Sequence, residues 1–333
     1  MITDSALHFL DKITALLKES SIEIKNWEID HLCYRTDSID HYEEVKRQFS
    51  QLGSLLIESE VGGRPIATFK LNKPVIYKNY FIDLVEVPAP KAGRVVQRGF
   101  EHIEVVLDCS FEDFIDQYPH FPFQKKGLGK TLNPELEIDF GDCAVKFHHK
   151  SLEHIINIES NEEVMAFLDE SKLLENLKLF NPLISGTIPL SIENKNSDLD
   201  ILFSAKSLSQ FRSKVQSEFG HFAEFEMKEA IHQDHESLIT NFFYKDLKVQ
   251  FFCSQKNVFQ QRANIHFLIE GRLLKLAGQK LRNTIIDLKK QGSTTEEAFG
   301  QILQLQNPYQ DLLKLQTLTD KTLSQQLNLN SFF

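Results

Sequence analysis

Hydrophobic positions along the chain follow two different grammars. Between residues 3 and 20, Leu7, Leu10, Ile13, Leu16 and Leu17 recur at helical spacing and predict a helix that covers a sheet. After Trp27, IDHLCYR reads as a strand, and a helix capped by Ser38 runs to Leu52. LLIES, RPIATFKL and YFIDLVEV then read as strands, with Gly62-Gly63 as a turn and Pro88 and Pro90 as stops. The order then begins again: FEHIEVVL is a strand, SFEDFIDQY a short helix, and LEIDF and CAVKFHH are strands around the Gly141-Asp142 turn. The helical stretch SLEHIINIE closes this half. A β-α-β-β-β unit followed by a second with one strand fewer predicts two curved modules, each covered by helix on one side. Paired βαβββ modules would together form a cup. An α+β sheet without duplication is the alternative left open by element order alone.

From Ser160 the pattern changes. Residues 161–180 predict an amphipathic helix, 181–198 a loop, DLDILF a strand and 207–219 a helix. Three strands follow in FAEFEMKEA, SLITNFFYK and LKVQFFC, then helices over roughly 258–291, 294–304 and 308–327. The expected fold class is α+β in two domains: a cup over residues 1–158, and an α/β domain with C-terminal helices over 162–333.

Composition narrows the class. The 333 residues suffice for two hydrophobic cores, and 41% hydrophobic with 25% charged residues is globular. The opening MITDSALHFLDKI carries Asp4 and Asp11 and no basic flank, so the expectation is a cytoplasmic protein with no signal peptide and no membrane partner. Net charge is −10, shared as −7 over residues 1–155 and −3 over 156–333. Neither half has the positive field that carries non-specific nucleic-acid affinity, which disfavours that partner. The four cysteines form no CxxC pair and read as reduced core thiols.

Four side chains in the first half suggest chemistry. His31 and His102 lie on the first strands of the two modules, and Glu86 and His148 on their last strands. Imidazoles and a carboxylate converging on one concave face suit Fe, Mn, Ni or Zn. The competing reading is ordinary hydrogen-bonded histidines in a half-buried sheet. His149 points to the other face, toward solvent or behind the ligands. Arg35, Arg64 and Lys70 either line the cup, where they suit a small anionic molecule, or are solvated surface charges.

IDHLCYRT, GRPIATFKLNKP, FIDLVEVPAP, RGFEHIEVVL, LNPELEI and VKFHHKS closely resemble the bacterial YecM-like proteins, a branch of the vicinal oxygen chelate superfamily. The resemblance covers roughly residues 3–158. It implies metal ligands on the first and last strands of each module, here His31, Glu86, His102 and His148. Glyoxalase-type relatives carry a carboxylate where this chain has His148, a departure that puts glyoxalase-type proton abstraction in doubt.

In the second half, SGTIPLSIENKNSDLDILF places Asp198 and Asp200 on one face of a strand, twelve residues after Gly186. Two such carboxylates repel unless a cation joins them, and Mg2+ carried with a nucleotide is the usual answer. Thr187 beside Gly186 offers a hydroxyl and backbone N–H groups to a phosphate. An exposed D-x-D at a strand start is the plain alternative. The arrangement resembles the DNA polymerase β type of nucleotidyltransferase, and LDILF, FQQRANIHFLIEGRLL and NPYQDLLKL resemble an uncharacterised bacterial family related to it. The resemblance makes Asp198 and Asp200 the catalytic candidates and Gly186 and Thr187 the nucleotide loop. It also expects a third carboxylate where Gln250 stands, with Glu226 and Asp234 as substitutes to be tested by position. Arg262 and His266 lie four residues apart on one side of a helix and are candidates for contact with the same ligand, whereas Gln261 faces elsewhere. Arg272 is placed to meet a phosphate or an acidic neighbour. Phe332 and Phe333 are candidates for docking on the body or on a second subunit of a homo-oligomer.

Three function classes follow. The first is a divalent-metal-dependent enzyme acting on a small anionic metabolite. The second is a Mg2+-dependent module that binds a nucleoside triphosphate or transfers a nucleotidyl group. The third is a non-catalytic binding protein.

Overall fold

The computed structural model describes residues 2–24, 27–91, 93 and 97–329, and Phe332 and Phe333 lie outside them. The chain divides into two compact units. One reaches to Leu152 and includes Thr319–Thr322; the other spans Glu153–Leu318 and the segment from Leu323 on. The division falls at 152/153, ahead of the 158/162 expected from sequence.

In the first unit, helix α1 (Ile2–Glu19) buries Ala6, Phe9, Leu10, Ile13 and Leu17. Strand β1 (Glu28–Arg35) leads to α2 (Ile39–Ser50), whose first turn is capped by Ser38 Oγ accepting the His41 N–H at 3.1 Å. β2 (Gly53–Glu60), β3 (Pro65–Tyr77) and β4 (Tyr80–Pro88) complete the first module. The second module is β5 (Gly99–Val106), α3 (Phe111–Gln117), β6 (Leu136–Asp139) and β7 (Ala144–His148). All seven strands form one sheet in the order β2-β3-β4-β1-β5-β7-β6. In each module the first strand pairs parallel with the last, β1 with β4 and β5 with β7, and the modules meet where β1 runs antiparallel to β5. The second module has one strand fewer, as its sequence pattern predicts. β3 runs further than RPIATFKL because a register shift between Lys70 and Val75 accommodates Pro74.

Alternation along the central strands separates two faces. Val85 and Val87 on β4, Ile103 and Val105 on β5, and Val145 and Phe147 on β7 join one core with the buried faces of α1, α2 and α3. Glu86, His102, Glu104, Lys146 and His148 occupy the intervening positions and so point the other way.

The second unit opens with α4 (Leu152–Glu159), α5 (Glu162–Ser171) and α6 (Leu173–Asn176). The long helix expected over 161–180 is broken. Ser171 Oγ turns back to the Phe167 carbonyl at 2.6 Å, and Lys172 takes a left-handed φ of 49°. A sheet follows, built from β8 (Leu183–Ser185), β9 (Leu199–Ser204), β10 (Ala223–His232), β11 (His235–Tyr244) and β12 (Leu247–Ser254), with α7 (Leu208–Phe219) after β9. Its order is β10-β11-β12-β9-β8, and β9 pairs parallel with β12. Strand β8 lies in what reads as loop, since three residues are too few to show alternation. Phenylalanines fill the core on one side: Phe203 packs on Phe211 and Phe251, and Phe219 and Phe242 pack on Phe251, with ring centroids 5.0–5.1 Å apart.

The C-terminal helices are α8 (Arg262–Lys290), α9 (Thr295–Leu303), α10 (Pro308–Leu315) and α11 (Asp320–Gln326). Gly278, at φ 68°, interrupts the helical geometry inside α8. The single helix expected over 308–327 is two helices, and the second is capped by Thr319 Oγ1 accepting the Thr322 N–H at 3.2 Å. No described helix is long and apolar enough to cross a membrane.

Candidate functional sites

In the first unit the polar face of the sheet gathers three histidines around one carboxylate. His31 on β1 pairs in register with Glu104 on β5, and Cys33 pairs with His102. Glu86 on β4 stands opposite Cys33, and His148 comes from the end of β7. His31, Glu86 and His102 present ligand atoms within 4.8 Å of one another, and Glu104, Glu135 and His148 do likewise. His31, His102 and His148 are all buried.

Each imidazole is held from behind. His31 Nδ1 lies 2.8 Å from Asp30 Oδ2, which also accepts the Leu152 N–H at 2.8 Å. His102 Nδ1 lies 2.8 Å from Glu101 Oε2, and His148 Nδ1 lies 2.9 Å from Asn133 Oδ1. The three Nε2 atoms turn toward Glu104, at 3.7, 3.6 and 2.8 Å, and none makes a well-formed hydrogen bond. An acceptor on Nδ1 with Nε2 left over is the arrangement that orients metal-bound histidines.

Electrostatics agree with a crowded polar site. Burial lowers the His31 pKa, but Glu104, Asp30 and Glu86 outweigh it and raise the group to about 9. Burial opposes ionisation of Glu104, yet His148, His31 and His102 hold it well below the usual carboxylate range. Partial burial also opposes ionisation of Glu101, yet His102 and Arg35 bring it down to about 2. Lys146 Nζ, 3.7 Å from Glu104 Oε1, is a further cation at the site. Burial and then Glu86 raise the Cys33 thiol well above its ordinary value, so it stays protonated.

The structure therefore brings His31, Glu86 and His102 together and joins His148 to them through Glu104, which sequence reading missed. The signal was there: in FEHIEVV, Glu104 lies two residues beyond His102 and on the same face. His149 does face the other side, but it does not meet solvent alone. Its ring lies 4.1 Å from Phe111, and its Nε2 reaches the Cys109 carbonyl at 3.1 Å. The three basic side chains make local bonds: Arg35 Nε with Glu101 at 2.5 Å, Arg64 with the Ala89 carbonyl at 2.9 Å, and Lys70 with Asp83 at 3.6 Å.

The second unit holds a cavity of about 700 Å³. Ser185, Gly186, Thr187, Asp198, Asp200 and Gln250 line one part of it, and Arg262, His266, Glu270, Lys289 and Glu296 line another. Register explains the first group. Asp200 on β9 stands between Ser185 on β8 and Gln250 on β12, and cross-strand partners share a face. Gly186 takes φ 76°, and a Cβ there would strike the Asp200 carboxylate. Glycine is thus required twice, by backbone and by contact. Asp198 Oδ2 accepts from Lys248 Nζ at 3.0 Å. Burial and then Asp198 push Asp200 up to about 8, against the pull of Lys248 and Lys289. Ser185 Oγ is buried and has no hydrogen-bond partner among the described residues.

Other expected residues are otherwise engaged. His266 is buried between Glu296 and the Tyr309 carbonyl, at 3.1 and 3.0 Å. Gln261 is a structural staple, donating to the Phe203 and Lys256 carbonyls, both at 2.9 Å. Arg272 donates to the Gln316 and Leu318 carbonyls at 3.1 and 2.8 Å, so its guanidinium fixes a helix end instead of meeting a phosphate. Glu226 is exposed on β10 and pairs with Lys228 at 3.1 Å; neither it nor Asp234 lines the cavity. Glu270 and Lys289 were missed, because both sit on a helix whose apolar stripe dominates its pattern.

Comparison with known proteins divides the chain as the fold does. The chain belongs to the YecM protein family, whose model matches residues 1–159. Protein YecM of Escherichia coli is 32% identical over an alignment of 170 residues that covers 46% of this chain and 89% of the relative. The solved structure of Protein EC4020 is 32% identical, covers 46% of this chain and 88% of its own, and gives a TM-score of 0.41. Residues 166–315 match a domain of unknown function, DUF4269. Over 44% of each chain there is also similarity, at 18% identity and TM-score 0.30, to a solved structure of the Cid1 poly(U) polymerase with MgGTP bound.

Proposed function

We propose that the C-terminal half is a nucleotidyltransferase-like module that binds a nucleoside triphosphate with Mg2+ and turns it over slowly or not at all. The observation that carries this reading is the contact of Gly186 with Asp200 beside a second carboxylate, Asp198, in a large polar cavity. A carboxylate kept protonated by burial and by a like-charged neighbour is a place where a divalent ion relieves a standing penalty. Asp198 and Asp200 would hold that ion, which would supply charge to phosphate oxygens. Ser185 Oγ, without a partner, and the Gly186–Thr187 turn would donate to the phosphates, and Arg262 at the exposed start of α8 would meet the outer charge. Gln250 supplies a neutral oxygen where a two-ion transfer needs charge, which limits catalysis more than binding. Calorimetry with nucleoside triphosphates, with magnesium and then with EDTA, tests the reading.

A second reading rests on its own observation. The three buried Nε2 atoms aimed at Glu104, each with Nδ1 fixed, support a divalent transition-metal centre in the N-terminal half. We read the paired modules as a vicinal-oxygen-chelate cup in which His31, Glu86, His102 and His148 hold Fe, Mn, Ni or Zn, with Glu104 as a fifth donor or as their anchor. The ion would supply Lewis-acid charge to a small anionic molecule. Elemental analysis of the purified protein tests it.

A further inference from the structure

The cavity of the C-terminal half contains a second set of donors that the aspartate pair does not use. His266 and Glu270 lie one turn apart on α8, and Glu296 comes from the first turn of α9. Their ligand atoms all fall within 4.8 Å of one another, on the wall of the cavity that Asp198 and Asp200 also line. The Tyr309 carbonyl, 3.0 Å from His266 Nε2, accepts a hydrogen bond from that nitrogen. Nε2 is thereby committed to the carbonyl, and Nδ1 is the nitrogen that faces the two carboxylates, with Glu296 Oε1 at 3.1 Å, where a metal ion would take the place of its proton.

Glu270 is the decisive member. The residue is 5% exposed, and its Oε1 has no hydrogen-bond partner among the described residues. A buried carboxylate oxygen without a donor is costly, and native proteins rarely keep one without a reason. Charge points the same way. Asp198, Asp200, Glu270 and Glu296 share the cavity, while Lys248 is already on Asp198 and Arg262 is exposed. Among the described residues that line the cavity, Lys289 is the other cation, and it is divided among Glu270, Glu193, Asp200 and Glu296.

We propose that His266, Glu270 and Glu296 form a binding site for a divalent transition-metal ion, distinct from the magnesium that Asp198 and Asp200 would carry with a nucleotide. One imidazole and two carboxylates suit Mn2+, Fe2+, Co2+ or Zn2+ better than Mg2+, which takes oxygen ligands and keeps its waters. The site stands on its own three residues and does not require that a nucleotide bind. It would add a second positive centre to a cavity lined by four carboxyl groups.

Equilibrium dialysis of the full-length protein against Co2+ tests this site. At a concentration that saturates the wild type, Glu270→Gln and Glu296→Gln should each bind one equivalent fewer, or the same equivalent at least tenfold more weakly. Glu296 is only partly buried, so its variant remains informative if Glu270→Gln fails to fold. Equal Co2+ occupancy in the wild type and both glutamine variants would overturn the site. Titrating Mg-ATP into the same samples keeps the two readings apart. If no nucleotide binds while the Co2+ count still falls in Glu270→Gln, the site stands and the nucleotide reading fails.

Discussion

Gln250 stands directly across the parallel β9–β12 pair from Asp200, and its amide Nε2 donates to Asn241 Oδ1 at 3.0 Å. The side chain is therefore a neutral neighbour of Asp200, at the position where the proposed module would need a third carboxylate. Gln250→Glu would set a third acid beside Asp198 and Asp200. Without a cation the repulsion should lower the melting temperature; with Mg2+ the variant should recover at least to the wild-type value and bind Mg2+ about tenfold more tightly. Melting curves in EDTA and in magnesium check this. A variant that melts as the wild type does in both conditions would show that residue 250 does not share the site.

Gly186 supports the same geometry from the loop side. Gly186→Ala adds a Cβ to a left-handed residue and drives it into Asp200. The cost should be about 1–3 kcal/mol of stability, with magnesium-dependent nucleotide binding lost altogether. Denaturant unfolding and calorimetry on one preparation measure both, and a variant with wild-type stability would refute the close contact.

The raised pKa of Asp200 makes a prediction about pH. Its folded value of about 8 lies above the ordinary 3.8, so the metal-free folded state binds the extra proton. That contribution to stability is fully present below about pH 4 and is lost as pH rises through about 8. In EDTA, the wild type should therefore lose more stability between pH 5 and 8 than Asp200→Asn, which cannot ionise. Parallel slopes for the two proteins would contradict the assignment.

In the N-terminal half the order of importance should follow position around Glu104. Glu104→Gln and His31→Ala should weaken binding of a transition metal at least tenfold. Glu86→Gln should cost more than His148→Ala, because a carboxylate lowers the charge of the site while His148 reaches the others only through Glu104. Titration of Zn2+ or Mn2+ into the four variants gives the ranking; an unaffected Glu104→Gln would remove the hub.

Much of this architecture was legible in the sequence because its strands alternate cleanly and end at Pro or Gly. The β1-to-β4 order and its shortened repeat came from that punctuation, and His31 and His102 stood out as polar positions within apolar strands. Glu104 did not, since the ligand pattern assigned one residue per strand and a second on the same face passed as surface charge. Asp198 and Asp200 were visible because i and i+2 on a strand share a face. Glu270 was not, because its partner Glu296 comes from another helix and no local spacing relates them. The breaks at Lys172 and after Leu315 depend on single side-chain hydrogen bonds that periodicity averages away.

The central claim is most directly tested by isothermal calorimetry of the full-length protein with ATP, CTP, GTP and UTP, first in Mg2+ and then in EDTA. At least one nucleotide should bind in Mg2+ with a dissociation constant of roughly micromolar to millimolar, that is about −8 to −4 kcal/mol. Binding should fall at least tenfold in EDTA, and Asp198→Asn with Asp200→Asn should abolish the magnesium dependence. Absence of binding by all four nucleotides, or equal binding by the wild type and the double asparagine variant, would contradict the account.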